Sequence, residues 1–195
     1  MSSDYRLYFI RHGETDWNAE GRLQGQQDIP INERGRFQAV EAGRKLGKLA
    51  PHAGELRWNV SPLWRTRDTA ERARRALHLD PDGYELDPIL KEISFGDWEG
   101  RTWRELRKAE PEAAAERESR KWTYVPPGGE SYAMLTDRVR PFAEALAGES
   151  VAVAHGGVAR ALLVLLCGLP AERACSADIW QGRVLLFEKG RFSWI

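Results

Sequence analysis

The sequence predicts an α/β sandwich: three layers, with helices on both faces of a mostly parallel central sheet. Three observations carry this. Short apolar runs alternate along the chain with longer segments whose apolar residues recur at helical spacing. The run at 151–154 is wholly apolar, as a parallel strand buried on both faces must be. Three of the runs end in residues capable of chemistry: Arg11-His12, Ser61 followed by Arg65, and His155-Gly156-Gly157.

Residues 5–10 carry aromatic and β-branched side chains and read as the first strand, with Gly13 placed to let the backbone turn sharply behind Arg11 and His12. Residues 16–31 read as a polar loop. Asn32-Glu33 starts a helix whose apolar face is Ala39, Ala42, Leu46 and Leu49. Residues 56–60 read as a second strand. Ser61-Pro62 then reads as a helix start, a capping hydroxyl with proline at the first helical position, and that helix runs to about Leu79. Residues 84–86 suggest a short third strand.

Residues 91–100 lack a helical period and end in glycine, so they read as a structured loop. From Thr102 to Trp122 the chain is rich in Ala, Glu and Arg and reads as helix, broken at Pro111. Pro126-Pro127-Gly128-Gly129 is a turn. The next helix presents Leu135, Val139, Phe142 and Leu146, with a kink or restart expected at Pro141. An almost entirely apolar helix follows His155 and reaches Cys167. Segments 176–180, 184–187 and 192–195 read as strands joined by tight turns.

The chain has 195 residues and a formal net charge of zero, with no composition shift. One domain is therefore expected over residues 1–195, with a helical and loop cover at about 91–130. Without a basic run or basic–aromatic interleaving, nucleic acid is excluded as a partner. The first four residues show no leader pattern, and the longest largely apolar stretch, 158–166, interrupted by Arg160, is too short to span a bilayer. Cys167 and Cys175 are too few for a disulfide framework or a zinc site. A soluble cytoplasmic protein is expected, as monomer or dimer. Eight tryptophans are many for this length, and some are expected to line a cleft.

In open α/β sheets the ligand lies beyond the carboxyl ends of the strands. Parallel neighbours would bring Arg11, His12, Arg65 and His155 to one edge. Taken singly, each has a plainer role, as a surface ion-pair partner or a structural histidine. Together they suit a phosphoryl group: guanidiniums neutralise its oxygens while an imidazole attacks or shuttles protons. Gly156 and Gly157 open a helix whose free amides would add an anion contact. His52 and His78 read as solvated surface residues.

The stretch Arg11-His12-Gly13-Glu14-Thr15-x-Trp17-Asn18 resembles the signature of the histidine phosphatase superfamily, the phosphoglycerate-mutase-like fold. Gly21-Arg22-Leu23-Gln24-Gly25 resembles its substrate loop, and Ser61-Pro62-Leu63-x-Arg65-Thr66 its second arginine motif. Glu92-Ile93-x-Phe95-Gly96-x-Trp98-Glu99-Gly100 resembles its acid loop. Gly128-Gly129-Glu130-Ser131 and Ala154-His155-Gly156-Gly157 complete the set in the family's order.

The resemblance implies that His12 is the nucleophile that becomes phosphorylated. Arg11, Arg65 and His155 would bind the transferring phosphoryl group, assisted by Asn18, and Gly156 would contact the anion. Glu92 would protonate the departing alcohol and then serve as base for water. Gln24 and Gly25 would meet the organic part of a small phosphate monoester. No cofactor or metal is implied. Family mutases carry longer insertions between the acid loop and Gly128 than the 101–127 stretch found here, so hydrolysis is expected over phosphate return. Three alternatives stand beside this reading: a mutase, a non-catalytic phosphate-binding module, and a metallohydrolase built on His12, His155 and Glu92. Adjacent arginines oppose the last, because they repel a cation. Substrate choice is expected to lie in loops 19–31 and 101–127, where Trp103 and Trp122 would form apolar cover or core.

Overall fold

The computed structural model describes residues 4–195. Residues 1–3, on which part of the no-leader reading rests, lie outside the described residues. A six-stranded sheet is flanked on one face by α2 (Glu33–Leu49) and α3 (Trp64–Ala76) and on the other by α6 (Tyr132–Glu144) and α7 (Gly156–Cys167). The strands are β1 (Tyr5–Arg11), β2 (Arg57–Val60), β3 (Glu85–Leu86), β4 (Gly148–Ala154), β5 (Val184–Glu188) and β6 (Arg191–Trp194). Their order is β3-β2-β4-β1-β5-β6; the first four run parallel, and β5 and β6 close the other edge antiparallel.

Strand side chains point alternately to opposite faces, so a central strand feeds two cores. Tyr8 and Ile10 of β1 pack under α2 and α3 with Val151 and Val153 of β4. Leu7 and Phe9 pack under α6 and α7 with Ala152 and Ala154. Ala39, Ala42 and Leu46 form the buried face of α2, as their spacing predicts, and Asn32 caps it by accepting the Gly35 amide.

Several expectations are corrected. Residues 16–31 are not all loop, because Thr15 and Asn18 form a reciprocal capping box that starts α1 (Asp16–Glu20). Ser61 does not cap α3, which begins at Trp64 behind an uncapped Leu63; its hydroxyl is turned to His155 instead. α3 stops at Ala76, just before His78 takes a left-handed backbone conformation. α6 runs through Pro141, whose ring lies on the exposed side, where a missing backbone donor is tolerated.

Segment 176–180 is not a strand. It follows α8 (Ala171–Ala174), and two of its carbonyls, Ala177 and Ile179, accept from Arg160 and Arg11 rather than from a neighbouring strand. The break at Pro111 holds: α4 (Trp103–Ala109) ends before it, and the proline opens α5 (Pro111–Ser119) at a first-turn position that needs no donor. Among the described residues, no helix is long and apolar enough to cross a membrane.

Candidate active site

Three parallel strands end level with one another. Arg11 stands opposite Ala154, and Val60 opposite Val153. The ladder continues one step beyond the strands: the His12 amide donates to the Ala154 carbonyl at 3.0 Å and the Ser61 amide to the Val153 carbonyl at 3.0 Å. Arg11-His12, Ser61 and His155 are thereby held at one carboxyl edge. Gly13 serves close approach rather than a sharp turn, since a Cβ there would lie 2.3 Å from the Gly35 carbonyl oxygen of α2.

Both histidines are buried, with ring centroids 5.2 Å apart. The Gly13 carbonyl oxygen lies 2.7 Å from His12 Nδ1. A carbonyl only accepts, so Nδ1 carries the proton and Nε2 keeps its lone pair. Burial, then the charges of Arg65 and Arg11, holds the His12 pKa well below the usual histidine range. His155 is held down likewise by burial and Arg65, and its Nε2 lies 2.8 Å from Ser61 Oγ.

Arg65 is fully buried, and burial pushes its pKa down to about 10. Its Nη1 donates to the Gln27 carbonyl and its Nη2 to the Gly25 carbonyl, both at 2.7 Å. Arg11 Nη1 donates to the Ile179 carbonyl at 2.7 Å. A cleft of ≈ 160 Å³ opens between these groups, lined by Arg11, His12, Asn18, Gln24, Gly25, Arg65, Glu92 and Gly156 among others. Buried polar atoms without partners are rare, and each costs about 1–3 kcal/mol. Among the described residues there are five, and four of them belong here: Arg11 Nε, Gln24 Oε1, Arg65 Nε and His155 Nδ1. The two guanidinium Nε–H donors among them, in a cationic cleft, mark a site suited to an anion; Gln24 Oε1 is an acceptor and answers to a donor on the ligand instead.

Glu92 lies across the cleft against the first turn of α7. Its carboxylate accepts the Gly157 amide at 3.0 Å and the Ile93 amide at 2.9 Å. The Gly157 amide is therefore not free for an anion, as the sequence reading had it. A Cβ at Gly157 would stand 2.3 Å from Glu92 Oε1, so only glycine permits this contact. The loop carrying Glu92 is tied down by Arg138 of α6, which donates to the carbonyls of Ile89, Lys91 and Glu92 and pairs with Glu130 at 2.9 Å. Glu99 fixes the opposite loop by accepting the amides of Gln26 and Phe95.

The structure thus brings together every residue singled out in the sequence, His155 standing just behind the lining. Asn18 commits its side-chain oxygen to Thr15 and Gln181, leaving its amide nitrogen to face the cleft. Phe95 of the acid-loop motif also lines the cleft, as do Arg160 and Tyr132, which the sequence did not mark. Arg160 sits one helical turn after Gly156 and was findable by that spacing. Arg138 had no local signal for its role, because the three carbonyls it holds lie more than 40 residues away along the chain, and only its ion-pair partner Glu130 is near in sequence.

The sequence profile of the histidine phosphatase superfamily (branch 1) matches residues 7–192. A glucosyl-3-phosphoglycerate phosphatase of Mycolicibacterium vanbaalenii is 35% identical over 97% of this chain and 82% of its own length. A metal-independent phosphoserine phosphatase of Arabidopsis thaliana is 39% identical over 80% of this chain and 66% of its own. Among solved structures, a mycobacterial glucosyl-3-phosphoglycerate phosphatase in complex with VO3 superposes with a TM-score of 0.77 at 31% identity, covering 98% of this chain and 96% of that one.

Proposed function

This chain belongs to the histidine phosphatase superfamily, and on that premise we propose that it hydrolyses a small phosphate monoester through a phosphohistidine at His12, without a metal. One observation carries the reading. The Nδ1–H of His12 is committed to the Gly13 carbonyl, so a neutral imidazole presents Nε2 as a nucleophile between Arg11 and the buried Arg65.

In the proposed reaction Nε2 forms a bond to phosphorus as the ester P–O bond breaks. The departing oxygen takes a proton from Glu92, which must enter this step protonated and leaves it as carboxylate. Arg11 and Arg65 offer their unpaired Nε–H groups to the phosphoryl oxygens. With Ser61 donating to His155 Nε2, the unpaired Nδ1–H of His155 completes the set. Water then attacks the phosphohistidine, Glu92 recovers a proton from it, and phosphate leaves with His12 restored. The fixed cations supply the charge stabilisation that a metal gives elsewhere. Hydrolysis rather than mutase transfer is supported by the phosphatase names of the two relatives above and by the short 101–127 stretch, although phosphoglycerate mutases also stand among the similar proteins.

The test is acid quench during turnover of a phosphate-labelled monoester in the presence of chelator. The wild type should release inorganic phosphate and retain label on His12. His12→Ala should fold, retain no label and lose turnover by more than a hundredfold. Activity of that variant within tenfold of wild type, or dependence of the wild type on added metal, refutes the reading.

A further inference from the structure

Helix α3 carries Arg65 into the site, yet nothing in its own sequence caps it. Leu63 at the cap position offers no acceptor, the first turn holds no acidic residue, and the Ser61 hydroxyl is turned to His155. First-turn amides have no partner inside a helix, so such an end must find its acceptor elsewhere. Here it comes from 36 positions earlier in the chain: the Trp64 amide donates to Asp28 Oδ1 at 2.7 Å. A carboxylate at that point satisfies the orphan donor and meets the positive end of the helix dipole.

Asp28 is exposed and does not line the cleft. What gives it a bearing on the site is the loop it belongs to. The Gly25 and Gln27 carbonyls hold the two terminal nitrogens of Arg65, the residue next to Trp64. Residues 25–28 therefore grip the first turn of α3 at three points, and the Arg65 Nε–H is left over for the anion. The loop is anchored in turn from the opposite side. Glu99 accepts the Gln26 amide at 2.9 Å, and the Gln26 side chain donates to the Glu92 carbonyl at 3.1 Å. Gly25 takes a left-handed backbone there, and a Cβ on it would collide with the Glu99 carboxylate. Without the Trp64–Asp28 bond, loop and helix end would meet here only through the guanidinium itself, whose angle would then follow any movement of the loop.

We propose that Asp28 is a positioning residue for phosphoryl binding: it caps α3 from another part of the chain and so fixes the direction in which Arg65 offers its Nε–H. The proposal rests on the phosphatase reading above for the nature of the ligand. A rival role is a purely electrostatic one, since Arg65, whose pKa burial pushes down, is held up by the charges of Glu92 and then Asp28. The two roles predict opposite signs. Removing a negative charge beside an anion site tightens the anion, whereas removing the cap loosens it.

The test is calorimetric binding of inorganic phosphate to the intact protein, with kcat/KM on one alkyl phosphate beside it. Asp28→Ala should weaken phosphate roughly three- to tenfold, the equivalent of one cap, and lower kcat/KM by a similar factor. Asp28→Asn keeps an equally good capping oxygen without the charge and should bind within roughly twofold of wild type. Trp64→Pro deletes the bond from the other side: proline at the first helical position leaves no donor to satisfy, and Leu63 already has the extended backbone that proline demands before it. A cap that merely stabilises the helix predicts no loss in that variant; a positioning residue predicts the loss seen in Asp28→Ala. In an Arg65→Met background, Asp28→Ala should weaken phosphate no further, because the two residues act as one unit. Tighter phosphate in both Asp28 variants, wild-type binding in Trp64→Pro, or an equal loss with and without Arg65 would each overturn the proposal. A wild type that binds phosphate but hydrolyses no ester would instead remove the phosphatase reading alone.

Discussion

Replacing Arg65 by methionine separates what the residue does for the fold from what it does for the ligand. Its two 2.7 Å bonds to the Gly25 and Gln27 carbonyls are each worth about 1.5–3 kcal/mol. Against them stands the burial of a full charge. A guanidinium pKa brought down to about 10 corresponds to a penalty on the order of 3 kcal/mol for holding the charged form there. The two nearly offset, so Arg65→Met should destabilise the ligand-free protein by only about 0–3 kcal/mol.

Binding tells a different story, because the Nε–H has no partner among the described residues and faces the ligand's place. Loss of that contact should weaken phosphate roughly ten- to a hundredfold. At phosphate a hundred times its wild-type dissociation constant, linkage stabilises the wild type by about 2.7 kcal/mol. The same concentration should stabilise the variant by only about 0.4–1.4 kcal/mol. Urea unfolding of both proteins with and without phosphate measures all four quantities. A variant that loses more than about 4 kcal/mol without phosphate yet keeps the full phosphate increment would refute the reasoning.

Glu92→Gln should depend on the leaving group: phosphorylation of His12 by an alkyl phosphate should collapse in single turnover while p-nitrophenyl phosphate suffers much less, and equal losses would remove the general-acid role. Gly157→Ala, whose new Cβ would meet Glu92 Oε1 at 2.3 Å, should reproduce that leaving-group pattern without removing an ionisable group; wild-type ratios of alkyl to aryl rate would show that the carboxylate does not need its amide. His12 and His155 are both depressed, by burial first and Arg65 next, so the unfolded chain takes up protons near pH 6.5 that the folded chain refuses. Stability is thus complete above about pH 6.5 and falls as pH drops below it, by up to about 1.4 kcal/mol per pH unit for each histidine. Urea midpoints between pH 7.5 and 5.5 check this, His12→Asn should halve the slope, and a flat profile would contradict the burial of two neutral imidazoles.

The layered sheet was legible because strand and helix periods are local properties, and Arg11, His12, Arg65 and His155 were legible because the ends of parallel strands must meet. Residues with two possible partners were misread. Ser61 has the sequence context of a helix cap, but the cap and the His155 contact compete for one hydroxyl, and only the fold decides between them. Residues 176–180 have strand-like composition, yet their carbonyls serve two arginines brought from elsewhere in the chain. Glu92 could be nominated as the acid by resemblance alone, since what seats it is an amide 65 positions away and an arginine 46 positions away. Arg117 carries no local sign that it points inward, which follows from where α5 lies.

The rungs that extend the sheet past its own strands have a consequence for amide exchange. The His12 and Ser61 amides are bonded to Ala154 and Val153 as any sheet amide would be, so deuterium reaches them only when β4 separates from its neighbours. Openings of that kind approach the free energy of global unfolding. The Gly157 amide is closed by nothing but the Glu92 side chain, and rotation of one carboxylate exposes it. Protection at residue 12 should therefore track the stability of the whole sheet, while protection at residue 157 reports how often the acid leaves its seat.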